Sequence, residues 1–275
     1  MLPRIITAAI GLPILIALVF YRGGVPFAFL TGALAVIGVL EFYAGVRKTG
    51  IRPRMFLGAV AVAIIIRAGF MENYSSAAPF YAGTLTLLLV LTLVLELLRM
   101  EKRPLAGVGA TVFGAMYVGW LLSYLVRIRS MPGEMEVLGI TSEKGAWLVV
   151  FVILVTWACD TGAYFSGRSL GKRKLAPKLS PAKTVEGSIG GLVSAASVAV
   201  LLGLLLRMPI DHALILGGLM GVFGQLGDLV ESSFKREIGI KDFGSILPGH
   251  GGALDRFDSL LFTGPLVYYY VIWLL

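Results

Sequence analysis

The sequence predicts an all-α, polytopic integral membrane protein. Hydrophobic residues make up 57% of its 275 residues, charged residues make up only 15%, and the mean hydropathy is +0.87. Soluble domains are about 25% charged, and disordered chains are far less apolar than this one. Both of those classes are therefore excluded, and the apolar residues are grouped into long stretches that are typical of membrane helices.

Nine stretches approach the roughly 20 apolar residues that a helix needs to span a bilayer. The third is the weakest, because it is short and carries Arg67. The first follows Arg4, as in a signal peptide, but no small-x-small cleavage site follows it, so we interpret it as a retained helix. The predicted spans are about 5–21, 26–46, 55–71, 78–98, 105–126, 145–165, 187–207, 211–231 and 257–275.

The basic residues predict an orientation for these spans. With nine spans, 18 of the 24 lysines and arginines lie on the side of the N-terminus, and five lie on the other side. Cytoplasmic loops carry the excess of positive charge. We therefore expect a multi-pass protein of the cell membrane, the inner membrane if bacterial, with a cytoplasmic N-terminus and an extracytoplasmic C-terminus.

The acidic residues divide the chain into two regions. All six aspartates follow residue 159, so carboxylate chemistry is expected in region 151–275, with cytoplasmic loops 166–186 and 232–256. Region 1–150, with about five helices, is expected to be a transmembrane scaffold. A single cysteine excludes a disulfide framework within the chain, a Cys-rich zinc site and an iron–sulfur cluster. The net charge of +8 suits the membrane orientation and an anionic ligand, and no nucleic-acid partner is expected.

The first segment with chemical potential is 157–191, at the cytoplasmic end of the sixth span. Asp160 lies in a very apolar helix, where a charge is costly unless it is paired, hydrated or bound to a metal. Ser180, Lys183 and Thr184 precede the start of the next helix, and helix starts bind anions. The alternative interpretation is that the basic residues of this loop only obey the positive-inside rule.

Two further segments hold paired acids. Asp228 and Glu231 are three apart on the eighth span, and Asp255 and Asp258 are three apart at the start of the ninth. Residues at this spacing share a helix face, and two carboxylates on one face repel each other unless a cation intervenes. Solvated helix-end acids are the alternative for Asp228 and Glu231.

The loop before the ninth span is polar and rich in glycine, which permits close approach to a ligand. Gly249, Gly251 and Gly252 surround His250. Positive side chains that suit phosphate are nearby: Lys235, Arg236, Lys241 and Arg256. Carboxylates are the natural ligands of magnesium, which takes phosphate oxygens and water for the rest of its shell.

These segments resemble the signature of the phosphatidate cytidylyltransferases, the CDP-diacylglycerol synthases. The resemblance covers residues 157–259 specifically, and residues 1–150 only as a polytopic membrane domain. It rests on Asp160-Thr161-Gly162-Ala163-Tyr164, Ser180-Pro181-Ala182-Lys183-Thr184-Val185-Glu186-Gly187, Gly227-Asp228, Ser233-Phe234-Lys235-Arg236, Lys241-Asp242, Leu247-Pro248-Gly249-His250-Gly251-Gly252 and Asp255-Arg256-Phe257-Asp258.

The resemblance implies transfer of CMP from CTP to phosphatidate, giving CDP-diacylglycerol and pyrophosphate with Mg²⁺ and room for a second cation. It implies a site that faces the cytoplasm, contact with membrane lipids, and a homodimer. The implied catalytic residues are Asp228, Asp255, Lys183 and His250. The implied substrate-binding residues are Ser180, Lys183, Thr184, Lys235, Arg236, Gly251, Gly252 and Arg256. The implied metal ligands are Asp228 and Asp255, with Asp258, Asp160 and Glu231 as further candidates.

Two alternatives stay open on the sequence. A CTP-dependent polyprenol or lipid kinase would share the membrane setting and the nucleotide. A transporter is disfavoured, because its site usually lies at the bilayer midplane between repeats. The stretch Gly167–Lys172 does not have P-loop spacing, and no Asp-Gly pair occurs, so the pattern of the CDP-alcohol phosphotransferases is absent.

Overall fold

A computed structural model describes residues 2–71, 78–99, 103–244 and 251–275, with side chains described from residue 11 onward. The chain is mostly helical, as predicted. The described ranges contain a short 3₁₀ helix, Leu254–Arg256, and nine longer helices: α1 Leu2–Phe20, α2 Val25–Arg47, α3 Met55–Met71, α4 Ala78–Arg99, α5 Pro104–Arg129, α6 Lys144–Leu170, α7 Val185–Leu205, α8 Ile210–Ile238 and α9 Asp258–Leu274. A π-helical turn, Ala115–Trp120, lies within α5.

Six of these helices, α2 and α4 to α8, are long and apolar enough to cross a membrane. The apolar part of α1 with described side chains, Gly11–Phe20, and α3 are shorter. A helix satisfies its backbone hydrogen bonds internally, which is why it is suited to a lipid environment. The chain is therefore a multi-pass membrane protein, while the nine spans and the orientation of the termini stay predictions.

Two short antiparallel hairpins interrupt the helices and were not predicted. Strands β1 Glu134–Val137 and β2 Ile140–Glu143 form the first, and strands β3 Lys174–Ala176 and β4 Ser180–Thr184 form the second. In the second hairpin, Lys174 pairs with Thr184 and Ala176 pairs with Ser180, with an irregular register between them. The predicted cytoplasmic loop 166–186 therefore contains regular structure.

The chain forms two compact units. The first comprises Met1–Ser130 and Glu237–Phe257, and the second comprises Met131–Arg236 and Asp258–Leu275. The predicted division at residue 150 rests on where the aspartates lie, whereas these units are defined by packing. The division at residue 150 therefore stays a prediction.

In the first unit, helices α2, α3 and α5 pack around Tyr43. The Tyr43 side chain is fully buried, and its hydroxyl donates a hydrogen bond to the carbonyl oxygen of Thr111 at 2.6 Å. Gly58 and Gly114 contact the ring closely enough that a Cβ atom at either position would overlap it. Small residues at helix interfaces let membrane helices pack closely. Gly58 and Gly114 thus leave the space that the Tyr43 ring fills.

In the second unit, α6 and α7 pack along a stripe of small residues. A Cβ atom added to Gly187 would lie 2.8 Å from the carbonyl oxygen of Ala163, and one added to Gly191 would lie 2.9 Å from that of Cys159. Real Cβ contacts are essentially never this short. The close approach of these two helices fixes the position of the β3–β4 hairpin, which connects them.

Candidate active site

The ion pair between Lys183 and Asp228 is the centre of the candidate site in the second unit. Lys183 Nζ lies 2.5 Å from Asp228 Oδ2, and the two side chains are 24% and 34% exposed. Ser232 Oγ, one turn further along α8, donates to Asp228 Oδ1 at 3.4 Å. The structure thus brings together two residues that the sequence had predicted as catalytic, from strand β4 and helix α8.

Local structure explains why Lys183 is held there. Thr184, the next residue, caps α7: its Oγ1 accepts a hydrogen bond from the Gly187 N–H at 3.1 Å. Glu186 in the first turn accepts hydrogen bonds from the backbone N–H groups of Lys172 and Arg173. These contacts tie the hairpin to the start of α7. Thr184 therefore has a structural role, and its contact with substrate stays a prediction.

Asp258, the first residue of α9, lies outside the six candidate spans and shares this electrostatic environment. Burial, followed by the negative charge of Asp228, raises its pKa to about 7, and the charge of Asp160 acts in the same direction. The Ser259 N–H donates to Asp258 Oδ1 at 2.7 Å, and Lys235 opposes the shift. The charges of two predicted metal ligands therefore act on a third, Asp258, and a cation beside it would favour its charged form.

A second ion pair lies on α8. Glu231 is fully buried, and Lys235 Nζ lies 2.8 Å from its Oε1. The neighbouring Arg236 Nε donates a hydrogen bond of 3.0 Å to the carbonyl oxygen of Leu179. This hydrogen bond joins α8 to the β3–β4 hairpin. Lys235 and Arg236 were predicted to bind substrate and Glu231 to bind metal. In the structure, Glu231 and Lys235 pair with each other, and Arg236 binds the hairpin. The contacts of these three residues with substrate or metal stay predictions.

In the first unit, Asp255 organises the end of the glycine-rich loop. Its Oδ2 accepts hydrogen bonds from the N–H groups of Phe243 and Gly252, both at 3.0 Å. Gly251 has φ +82°, a conformation that favours glycine. Arg256 is exposed. His250 and the segment Leu247-Pro248-Gly249 lie outside the described residues, so the predictions on them are not addressed.

Glu41 is the residue of this region that the sequence interpretation missed. It lies in α2, is 6% exposed, and its Oε2 accepts a hydrogen bond from the Leu254 N–H at 3.0 Å. A Cβ atom added to Gly252 would lie 2.6 Å from the same oxygen, and Gly244 packs against the carboxylate as well. The sequence did indicate Glu41, because it is an acidic residue inside the predicted span 26–46. Acidic residues within membrane spans are candidates for a functional role by default.

The described residues do not form a ready-made metal centre. Within the four described ranges, no three His, Cys, Asp or Glu side chains are placed so that they could hold a metal ion together. The ion pairs of Asp228 with Lys183 and of Glu231 with Lys235 account for part of this, because each lysine occupies a carboxylate oxygen. Burial is the largest cause of the raised pKa of Asp258, and the negative charges of Asp228 and Asp160 add to it.

Comparisons with known proteins show the family of the chain. The model of the Cytidylyltransferase family matches residues 2–274. The chain belongs to this family. The chain is 35% identical to phosphatidate cytidylyltransferase of Synechocystis sp., over an alignment that covers 99% of the chain and 97% of that relative. Its counterpart in Bacillus subtilis is 45% identical over 164 residues, which cover 59% of the chain and 57% of that relative.

A third relative matches a shorter part of the chain at higher identity. Phosphatidate cytidylyltransferase of Staphylococcus saprophyticus is 50% identical over 129 residues, 46% of the chain and 50% of that protein. The 50% and 35% identities are to two different relatives, over alignments of 129 and 292 residues.

Proposed function

We propose that the chain transfers CMP from CTP to phosphatidate, which forms CDP-diacylglycerol and releases pyrophosphate. The observation that carries this proposal is the similarity along essentially the whole chain to a relative named phosphatidate cytidylyltransferase. The names of the relatives do not favour the alternative of a CTP-dependent lipid kinase.

The chemistry of the described residues suits this reaction. The nucleophile is a phosphate oxygen of the lipid, which is largely ionised at neutral pH, so the protein has no need of a strong general base. What the reaction requires is the positioning of two polyanions and the neutralisation of charge at the α-phosphorus. Lys183, Lys235 and Arg236, which the β3–β4 hairpin and α8 supply, are the phosphate-binding side chains in this proposal.

Magnesium suits the carboxylate chemistry of the second unit. Its proposed ligands there are Asp228, Asp258 and Asp160, which would have to move closer together, because the described acidic side chains are not placed to hold one ion between three of them. A bound cation would offset the effect of burial and the repulsion by Asp228 and Asp160, which together raise the pKa of Asp258. When bound, Mg²⁺ supplies charge neutralisation for phosphate oxygens. Lys183 compensates the charge of Asp228 through their ion pair. In this proposal, Lys183 pairs with a substrate phosphate once the cation neutralises Asp228.

A double-label experiment tests the reaction. Purified protein is given Mg²⁺, phosphatidate and CTP labelled at either the α- or the γ-phosphorus. The α label is expected in the lipid fraction and the γ label in pyrophosphate. A γ label in lipid, together with release of CDP, would overturn the proposal in favour of the kinase. Diacylglycerol in place of phosphatidate is the control, because its hydroxyl suits only the kinase.

Orientation and assembly belong to the same proposal. The charge distribution supports a site that faces the cytoplasm, where CTP is available. The family resemblance supports two identical subunits. Light scattering of the detergent-solubilised protein measures the subunit number, and a monomer that is fully active would contradict the dimer.

A further inference from the structure

Four arginines converge on one pocket in the first unit, away from the residues discussed above. The pocket has a volume of about 430 Å³ and lies between the C-terminal ends of α2 and α4 and the start of α3. Its arginines are Arg47, Arg52, Arg54 and Arg99, and Pro53, Met55, Phe56, Leu57 and Leu95 complete its lining.

One of these arginines is fixed in place. Arg54 Nε donates to Glu96 Oε1 at 2.7 Å, its Nη2 donates to the carbonyl oxygen of Leu95, and its backbone N–H donates to Thr111 Oγ1 at 2.8 Å. Glu96 is 3% exposed. This buried contact ties the start of α3 to α4, so the walls of the pocket are held without any ligand.

The positive-inside rule alone does not account for this cluster. That rule is satisfied by lysine and arginine equally, yet all four charges that line the pocket are arginines, and the adjacent Lys48 does not line it. The guanidinium group binds phosphate through two parallel hydrogen bonds, which the ammonium group of lysine cannot do. The composition of the lining therefore favours a phosphate group as the ligand.

The apolar lining favours a lipid as the source of that phosphate. The Phe56 side chain is 83% exposed at the start of α3, and Leu97 and Leu98 of α4, beside the pocket-lining Leu95 and Arg99, are 76% and 74% exposed. Large exposed side chains of this kind belong against acyl chains in a membrane protein. Basic pockets between membrane helices bind the headgroups of anionic lipids.

We propose that this pocket binds the headgroup phosphate of an anionic phospholipid. Arg52 and Arg99 contact the phosphate, Arg54 holds the wall, and the acyl chains lie along the exposed faces of α3 and α4. This site is separate in its residues from the proposed catalytic site, and the proposal does not depend on the reaction that the chain catalyses.

Native mass spectrometry of the full-length protein, titrated with dioleoyl phosphatidylglycerol or dioleoyl phosphatidylcholine, tests the proposal. For the wild type, the first phosphatidylglycerol is expected to bind about tenfold more tightly than phosphatidylcholine. The double variant Arg52→Gln with Arg99→Gln is expected to lose that preference, because it lacks the two guanidinium groups that bind the headgroup phosphate. The double variant Arg52→Lys with Arg99→Lys keeps the charge and is expected to show an intermediate affinity.

The matched control is Lys48→Gln with Arg103→Gln, which removes two exposed positive charges outside the pocket lining. It is expected to keep the wild-type preference, and an equal loss in this control would overturn the proposal in favour of general electrostatic attraction. Displacement of phosphatidylglycerol by micromolar inorganic phosphate would overturn the lipid assignment and give the pocket to soluble phosphate. If the glutamine variant does not elute as a folded protein, the lysine variant decides between these outcomes.

Discussion

The carboxylate of Glu41 accepts a hydrogen bond from the backbone N–H of Leu254, 213 residues further along the chain. Both groups are buried. Leu254 directly follows the glycine-rich loop and precedes Asp255, so a side chain of helix α2 holds the backbone beside a predicted metal ligand. Helix α2 of the N-terminal region thus supports the backbone next to Asp255.

Replacing Glu41 with alanine is expected to lower both stability and turnover. The substitution leaves the buried Leu254 N–H without its acceptor, which costs about 1–3 kcal/mol. Thermal unfolding and CMP transfer measure the two effects. Glu41→Gln keeps an acceptor oxygen and is expected to retain more of both. Glu136→Ala, at an exposed position of strand β1, is the control, and an equal loss there would contradict the role of Glu41.

Gly252→Ala is expected to reduce turnover strongly. The added Cβ atom would lie 2.6 Å from Glu41 Oε2 and 2.7 Å from the Gly244 nitrogen, so the loop must move. Gly109→Ala, in helix α5 with open space around it, is the matched control and is expected to be neutral in the same assay. Full activity in Gly252→Ala would show that the close contact is not needed for the reaction.

Asp228→Asn and Lys183→Met are each expected to reduce turnover by about a hundredfold or more, the size of effect seen when one group that stabilises transition-state charge is removed. Their effects are expected not to add in the double variant, because the two side chains form one ion pair. Single-turnover rates of the four proteins measure the coupling. Additive losses would mean that the two residues act independently.

Asp255→Asn is expected to abolish most of the turnover while the protein still inserts in the membrane. The amide keeps the size of the side chain and one acceptor oxygen, but it loses the charge that a cation needs. Asp211→Asn, at the exposed start of α8, is expected to behave as wild type. Robust activity of Asp255→Asn across magnesium concentrations would remove Asp255 from the metal ligands.

Reporter fusions test the orientation. A reporter after Leu275 is expected outside the cytoplasm, and a reporter in the segment 166–186 is expected inside it, because 18 of the 24 basic residues lie on one side of a nine-span arrangement. A periplasmic phosphatase and a fluorescent protein report the two compartments. Both reporters on one side would contradict nine spans.

Hydrophobicity made the helices predictable, because apolar length and helical structure are coupled in a membrane. Helix ends were less predictable: α8 continues to Ile238, beyond the predicted end at 231, since its last two turns are amphipathic rather than apolar. The hairpin β3–β4 was missed because its strands are short and polar. The pair of Lys183 and Asp228 was named residue by residue, but its contact depends on tertiary packing that no local pattern encodes.

The first unit combines Met1–Ser130 with the much later segment Glu237–Phe257, so it is completed only late in synthesis. During synthesis, Glu41 emerges long before Leu254, so α2 must enter the bilayer with a carboxyl group that has no backbone partner from the glycine-rich loop. A nascent chain stopped before residue 254 cannot supply that partner. The buried contact between α2 and the segment before α9 therefore forms after most of the membrane helices have been made.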